Sequence, residues 1–195
     1  MTENVNKFLD AVDQVLNSNT LLLVFPPLKG HSPEKYLSEI ISSGDFEQEF
    51  LKQDREREWY NYHSRDAQCM PRDITKKLIR QTDPALDAST FAEIKKVLVA
   101  MLTLQKLPNR NFFSPYRAGR TLEEAEPLVQ DFLEAIGANQ PDSRIYELEP
   151  VFLYSRNIEG ESEQVRSYFD HLGSDCAFLF CARDYCSILL VNGSD

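Results

Sequence analysis

The sequence predicts an α+β protein: a helical N-terminal two-thirds packed against a small, mainly antiparallel C-terminal sheet with one inserted helix. Three observations lead there. Apolar residues recur at helical spacing through most of the first 139 positions. After Pro141 the texture changes to short β-rich runs divided by polar breaks. Between two of those runs, Ala182-Arg183-Asp184 is short enough to make an antiparallel hairpin. With 195 residues, 42% of them hydrophobic, the chain can bury a self-sufficient core. Residues 1–195 are read as a single globular domain, with a possible subdivision into a mainly helical 1–139 and a β-rich, acidic 140–195.

The elements follow in order. Val5, Phe8, Leu9, Val12, Val15 and Leu16 line one face of a helix over 3–17. The run 20–25 (TLLLVF) is a buried strand stopped by Pro26-Pro27. Ser32-Pro33 is an N-cap followed by proline in the first turn, with Tyr36, Leu37, Ile40 and Ile41 as the stripe and Gly44 as the stop. From Asp45 a charged stretch with Phe46, Phe50 and Leu51 suits a helix running towards Trp59. Residues 60–72 have no period and read as a connection, and Asp73 caps a short helix through Arg80. Thr90 and Glu93 form a capping box ahead of Ile94, Val97, Leu98, Met101 and Leu102. Thr121 and Glu124 repeat it, and Gly137 closes that helix. Strands are expected at 144–148, 151–155, 175–181 and 185–191, with a helix at 161–172 between the second and third. Both parities of 176–181 are apolar, which predicts a strand covered on two faces.

Charge is divided unevenly. Residues 1–120 carry 16 Asp/Glu against 17 Lys/Arg, whereas 121–195 carry 15 Asp/Glu against Arg144, Arg156, Arg166 and Arg183, so a net of −11 sits in the last third. Such a field attracts a basic partner and repels nucleic acid or an anionic membrane. The start lacks the basic and apolar segments of a secretory signal, and the longest apolar run, 21–27, is about a third of a bilayer span. The expectation is a soluble, cytoplasmic protein with reduced cysteines and no disulfides.

Several constellations invite chemistry. Cys176, Cys181 and Cys186 fall at five-residue intervals, extended backwards by His171. Zinc needs converging ligands, usually from a C-x2-4-C knuckle, and a five-residue step along a strand sends successive thiols to opposite faces. They read as small buried hydrophobes, and no metal is expected. Cys69 near His63 and Asp66 has the ingredients of a thiol nucleophile, but sequence proximity does not assemble such a pair, so it reads as an ordinary free cysteine. Between Glu93 and Glu123 no acid occurs, and Arg110, Tyr116, Arg117 and Arg120 interleave arginine with aromatics, a combination that stacks on bases or grips phosphate. The competing reading pairs those arginines with the acidic third of the same chain. Trp59, Tyr60 and Tyr62, flanked by charge, serve either the core or the centre of an interface.

P-loop, dinucleotide-binding, metalloprotease and nucleophile-elbow motifs are all missing, and seven glycines leave little for a phosphate cradle. No catalytic residue and no cofactor are assigned. The composition is that of an acidic partner-binding protein, by class analogy an immunity protein or antitoxin that neutralises a basic protein. Its contact residues would be Glu147, Glu149, Glu159, Glu161, Glu163 and Asp170, with Trp59 and Tyr60 as aromatic anchors. The alternative is an enzyme or sensor that binds a small phosphorylated ligand through residues 106–120, with Arg110, Arg117, Arg120 and Tyr116 in contact.

Overall fold

The computed structural model describes residues 2–57, 86–114, 117–148 and 175–192. The chain runs α1 (Glu3–Leu16), β1 (Leu21–Phe25), α2 (Pro33–Ser42), α3 (Asp45–Arg57), β2 (Leu86–Ser89), α4 (Phe91–Thr103), β3 (Lys106–Leu107), β4 (Arg110–Asn111), α5 (Leu122–Ala135), β5 (Arg144–Leu148), β6 (Cys176–Cys181) and β7 (Cys186–Val191). The α+β reading holds, with helices mostly N-terminal and an antiparallel sheet built around the C-terminal strands. The expected strand at 151–155, the helices at 73–80 and 161–172, and the connection at 60–72 lie outside the described residues.

The caps anticipated from sequence set the helix ends. Thr90 Oγ1 accepts from Glu93 N–H at 3.2 Å while Glu93 Oε2 accepts from Thr90 N–H at 2.8 Å. Thr121 and Glu124 repeat the reciprocal pair at 3.3 and 3.1 Å. The far end of α5 is a Schellman turn: Gly137 at φ +67 lets its N–H reach the Glu134 carbonyl, and Ala138 N–H reaches Leu133 O. Ser32 caps α2 by accepting from Lys35 N–H at 3.3 Å, with Pro33 in the first turn.

The main sheet has the order β1-β7-β6-β5-β2, antiparallel throughout. Its three central strands are C-terminal, and the N-terminal part supplies both edges. β7 has apolar residues on both faces and an open side; β1, itself an apolar run, closes it in register Leu21↔Leu190 to Phe25↔Cys186. β2 and the two-residue ladder β3–β4 carry no sequence signal strong enough to announce them; their partners define them.

Alternation along β6 divides the core. Cys176, Phe178 and Phe180 face α1, α4 and α5, whereas Ala177, Leu179 and Cys181 face α2 and α3, and all six are buried. The two-sided burial expected of this strand is thus observed, and the molecule has three layers. On the first side Phe8 stacks on Phe132 with centroids 4.1 Å apart, and Phe132 meets Phe180 edge-on at 6.3 Å. On the second, Phe25, Phe46 and Phe50 stack in sequence at 6.2 and 6.4 Å. Each such ring contributes about 1.5–3 kcal/mol through burial alone. Among the described residues, no helix is long and apolar enough to cross a membrane.

Candidate functional site

The strongest feature of the described surface is the outer side of α5. Ala125, Val129, Phe132 and Leu133 turn inward, which leaves the remaining positions of the same helical period outside. Glu123, Glu124, Glu126, Asp131 and Glu134 are all exposed there, joined by Asp142 beyond the helix, and no lysine or arginine occurs between Arg120 and Arg144. Glu123 and Glu124 suit the positive end of the helix dipole. Glu134, in the last turn with no base beside it, opposes the dipole. It accepts a hydrogen bond from Gln130 Nε2 at 2.6 Å, and Gln130 accepts from Lys95 of α4 at 2.8 Å. The neighbouring α1 adds exposed Glu3 and Asp10, with Lys7 tied to Glu3 at 2.6 Å. Leu122, also exposed, places an apolar side chain at the start of this acidic strip.

The arginine-rich segment is largely satisfied at home. Arg110, on β4, forms an ion pair with Glu147 of β5 and lies over the Phe178 ring, 5.7 Å from its centroid. Phe178 and Glu147 are register partners, so one cross-strand pair supplies both the carboxylate and the aromatic face. Arg120 donates to Gln14 of α1 at 3.0 Å, and its backbone N–H reaches Leu102 O. Of the three arginines only Arg117 is exposed. Phe112 of this loop is buried, whereas Phe113 stands 58% exposed. Glu149, Glu159, Glu161, Glu163, Asp170, Trp59, Tyr60 and Tyr116 lie outside the described residues, as do Cys69, His63 and His171.

The spacing rule applied to the thiols holds for one pair and fails for the next. Cys176 and Cys181 lie on opposite faces of β6, but the hairpin turn intervenes before Cys186 and brings it directly opposite Cys181 on the same face. All three are free thiols and buried. Among the described residues no group of three or more His, Cys, Asp or Glu is arranged to hold a metal ion.

A buried polar network escapes the sequence altogether. Asp13, on the apolar side of α1, accepts from Ser18 Oγ at 2.9 Å and Thr20 N–H at 2.8 Å through Oδ1, and from Arg57 Nη2 at 2.6 Å through Oδ2. Burial holds the Asp13 carboxyl above its usual range, with Arg57 acting against that shift. The arrangement locks the end of α1 and the turn into β1 against α3. Its only sequence trace is one acid beside Leu9, Val12 and Leu16, since Arg57 lies far away along the chain.

A cavity of about 420 Å³ opens between α4 and the end of α5, lined by Ser89, Thr90, Gln130, Asn139, Gln140 and Ser143, among others. Two of its hydroxyls are committed: Thr90 to its capping box, Ser143 to the Ala138 and Gln140 carbonyls. It offers polar contact. Compared with known protein families, curated proteins and solved structures, the chain matches none.

Proposed function

We propose that this chain is a binding protein that presents an acidic surface to a basic protein, in the manner of an immunity protein or antitoxin covering a positively charged active site. The observation that carries this reading is the outer side of α5, where five exposed carboxylates stand without a single base in the helix. Such a surface steers a cationic partner by long-range attraction, giving fast association that weakens with salt. Exposed Leu122 at its edge would supply apolar contact once docked. The engagement of Arg110 with Glu147 and of Arg120 with Gln14 favours this reading over a phosphate site at 106–120. It also moves the contact surface away from Glu147.

The test compares the tagged chain with a Glu123→Lys, Glu126→Lys, Asp131→Lys variant, each incubated at low salt in lysate of the native host and eluted by a salt ramp. A basic protein released at a defined salt step from the wild type, lost from the charge-reversed chain and retained by Arg117→Ala, supports the proposal. Retention by the charge-reversed chain, or loss with Arg117→Ala, overturns it.

A further inference from the structure

At the turn end of the β6–β7 hairpin, a row across the sheet reads Arg144, Cys181, Cys186, Phe25, each residue in register with the next. The Ala182 N–H bonds Tyr185 O at 3.0 Å, so 182 and 185 form a hydrogen-bonded pair, and the alternation of antiparallel ladders makes 181 and 186 a non-hydrogen-bonded one. Such pairs hold their Cα atoms about 4.5 Å apart, inside the roughly 4.4–6.8 Å that a disulfide spans. Tyr36, in the same buried cluster, donates its hydroxyl proton to the Pro26 carbonyl, and the Arg144 guanidinium stands in the row beside Cys181. That charge favours the thiolate of either cysteine, while burial opposes it. Cys176, on the other face, is pushed up to about 12 by burial and lacks a thiol partner in the hairpin.

We infer that Cys181 and Cys186 form a peroxide-reactive dithiol that closes to a cross-strand disulfide. The thiolate of one of the pair attacks one oxygen of hydrogen peroxide; the O–O bond breaks, that cysteine becomes a sulfenic acid, and hydroxide leaves to take up a proton as water. The partner sulfur then attacks the sulfenic sulfur, the S–O bond breaks, and the departing hydroxide takes the partner's proton, giving a second water. Two thiols lose two electrons and one peroxide becomes two waters. Cys181 is 4% exposed and Cys186 fully buried, which selects a small neutral oxidant over a bulky disulfide.

The experiment treats the native full chain with equimolar hydrogen peroxide near neutral pH, blocks remaining thiols by alkylation and maps peptides without reduction. Trypsin cuts after Arg183, between the two cysteines, so the bridge appears as linked peptides whose fragment ions separate Cys181 from Cys176. A 181–186 bridge with Cys176 alkylated and the circular dichroism unchanged is the expected result. In Cys181→Ser or Cys186→Ser no bridge forms within the hairpin, and the remaining cysteine of the pair should take the dimedone label. Arg144→Gln, on an exposed side chain, should slow bridging about twofold as the thiolate fraction falls. A pair that stays reduced in the folded chain, a bridge formed only in urea, or Cys176 oxidised as readily as the pair would each overturn the assignment.

Discussion

Replacing Arg57 with alanine tests the buried network at its most exposed assumption, that Asp13 is carried as a charge. The Arg57 side chain is 6% exposed and Asp13 2%, so the pair has little water to fall back on, whereas Asp10, the second partner of Arg57 at 3.0 Å, is 51% exposed and can rehydrate. Removing one member of a buried pair costs about 3–5 kcal/mol because the other charge stays buried. Asp13 keeps its bonds from Ser18 and Thr20, which places the expected loss near the lower end, about 3 kcal/mol. Burial already raises the Asp13 carboxyl, and losing Arg57 raises it further. A folded-state pKa above the unfolded value means that the folded chain binds the proton more tightly. The Asp13 contribution to stability is therefore greatest at acid pH and falls as pH rises through the folded value. The Arg57→Ala deficit should accordingly be full near neutral pH and shrink on acidification, and Asp13→Asn added to Arg57→Ala should recover part of it. Urea unfolding of wild type, single and double variants at about pH 7 and about pH 5 measures all three effects. An equal deficit at both pH values, or one below about 1 kcal/mol as for an exposed pair, would refute the buried-charge account.

Three further substitutions probe other parts of the fold. Glu134→Gln should raise stability by about 0.3 kcal/mol, because it removes an anion from the C-terminal end of the α5 dipole while keeping an oxygen to accept from Gln130, and should weaken association with a basic partner; thermal melts and binding read the two effects separately. Gly119→Ala should destabilise by about 1–3 kcal/mol in urea melts, since the added Cβ would lie 2.5 Å from the Thr103 carbonyl oxygen, a backbone atom that yields only if the loop moves. Pro127→Ala should stabilise by about 2 kcal/mol: it restores an N–H able to reach the Glu123 carbonyl inside α5, less the gain in unfolded-chain freedom, and a lower melting temperature would contradict this.

How much of this was legible depended on whether the determining residues are neighbours in the chain. Thr90 with Glu93 and Thr121 with Glu124 announce their helices because a capping box is complete within four residues. The double-faced apolar run at 176–181 likewise carries its two-sided burial in its own composition. β2 does not: Leu86-Asp87-Ala88-Ser89 becomes a strand only because β5 offers its edge. The Asp13–Arg57 clamp joins α1 to α3 across intervening elements and has no local signature. The thiols fall between these cases. The spacing argument was sound within β6, but two steps of five stop being equivalent once a turn separates Cys181 from Cys186.

The acidic surface belongs to the same lesson, because counting charge in the last third located an excess without saying which side chains carry it outward. Glu147 contributed to that count, yet a strand position opposite Phe178 places it under the β3–β4 ladder, where Arg110 neutralises it. The acids of α5 were in the count too, and helical period, not strand alternation, turns them to solvent while the apolar stripe goes inward. Glu134 is the informative member. A carboxylate in the last turn opposes the dipole, so stability alone would favour a base or a neutral side chain there. Glu123 and Glu124 can be credited to the helix start; Glu134 cannot be credited to the helix end. The fold compensates Glu134 only through the Gln130 amide and, behind it, Lys95, so its carboxylate stays on the exposed side of α5, and the proposal of a basic partner rests on exposed charge of that kind.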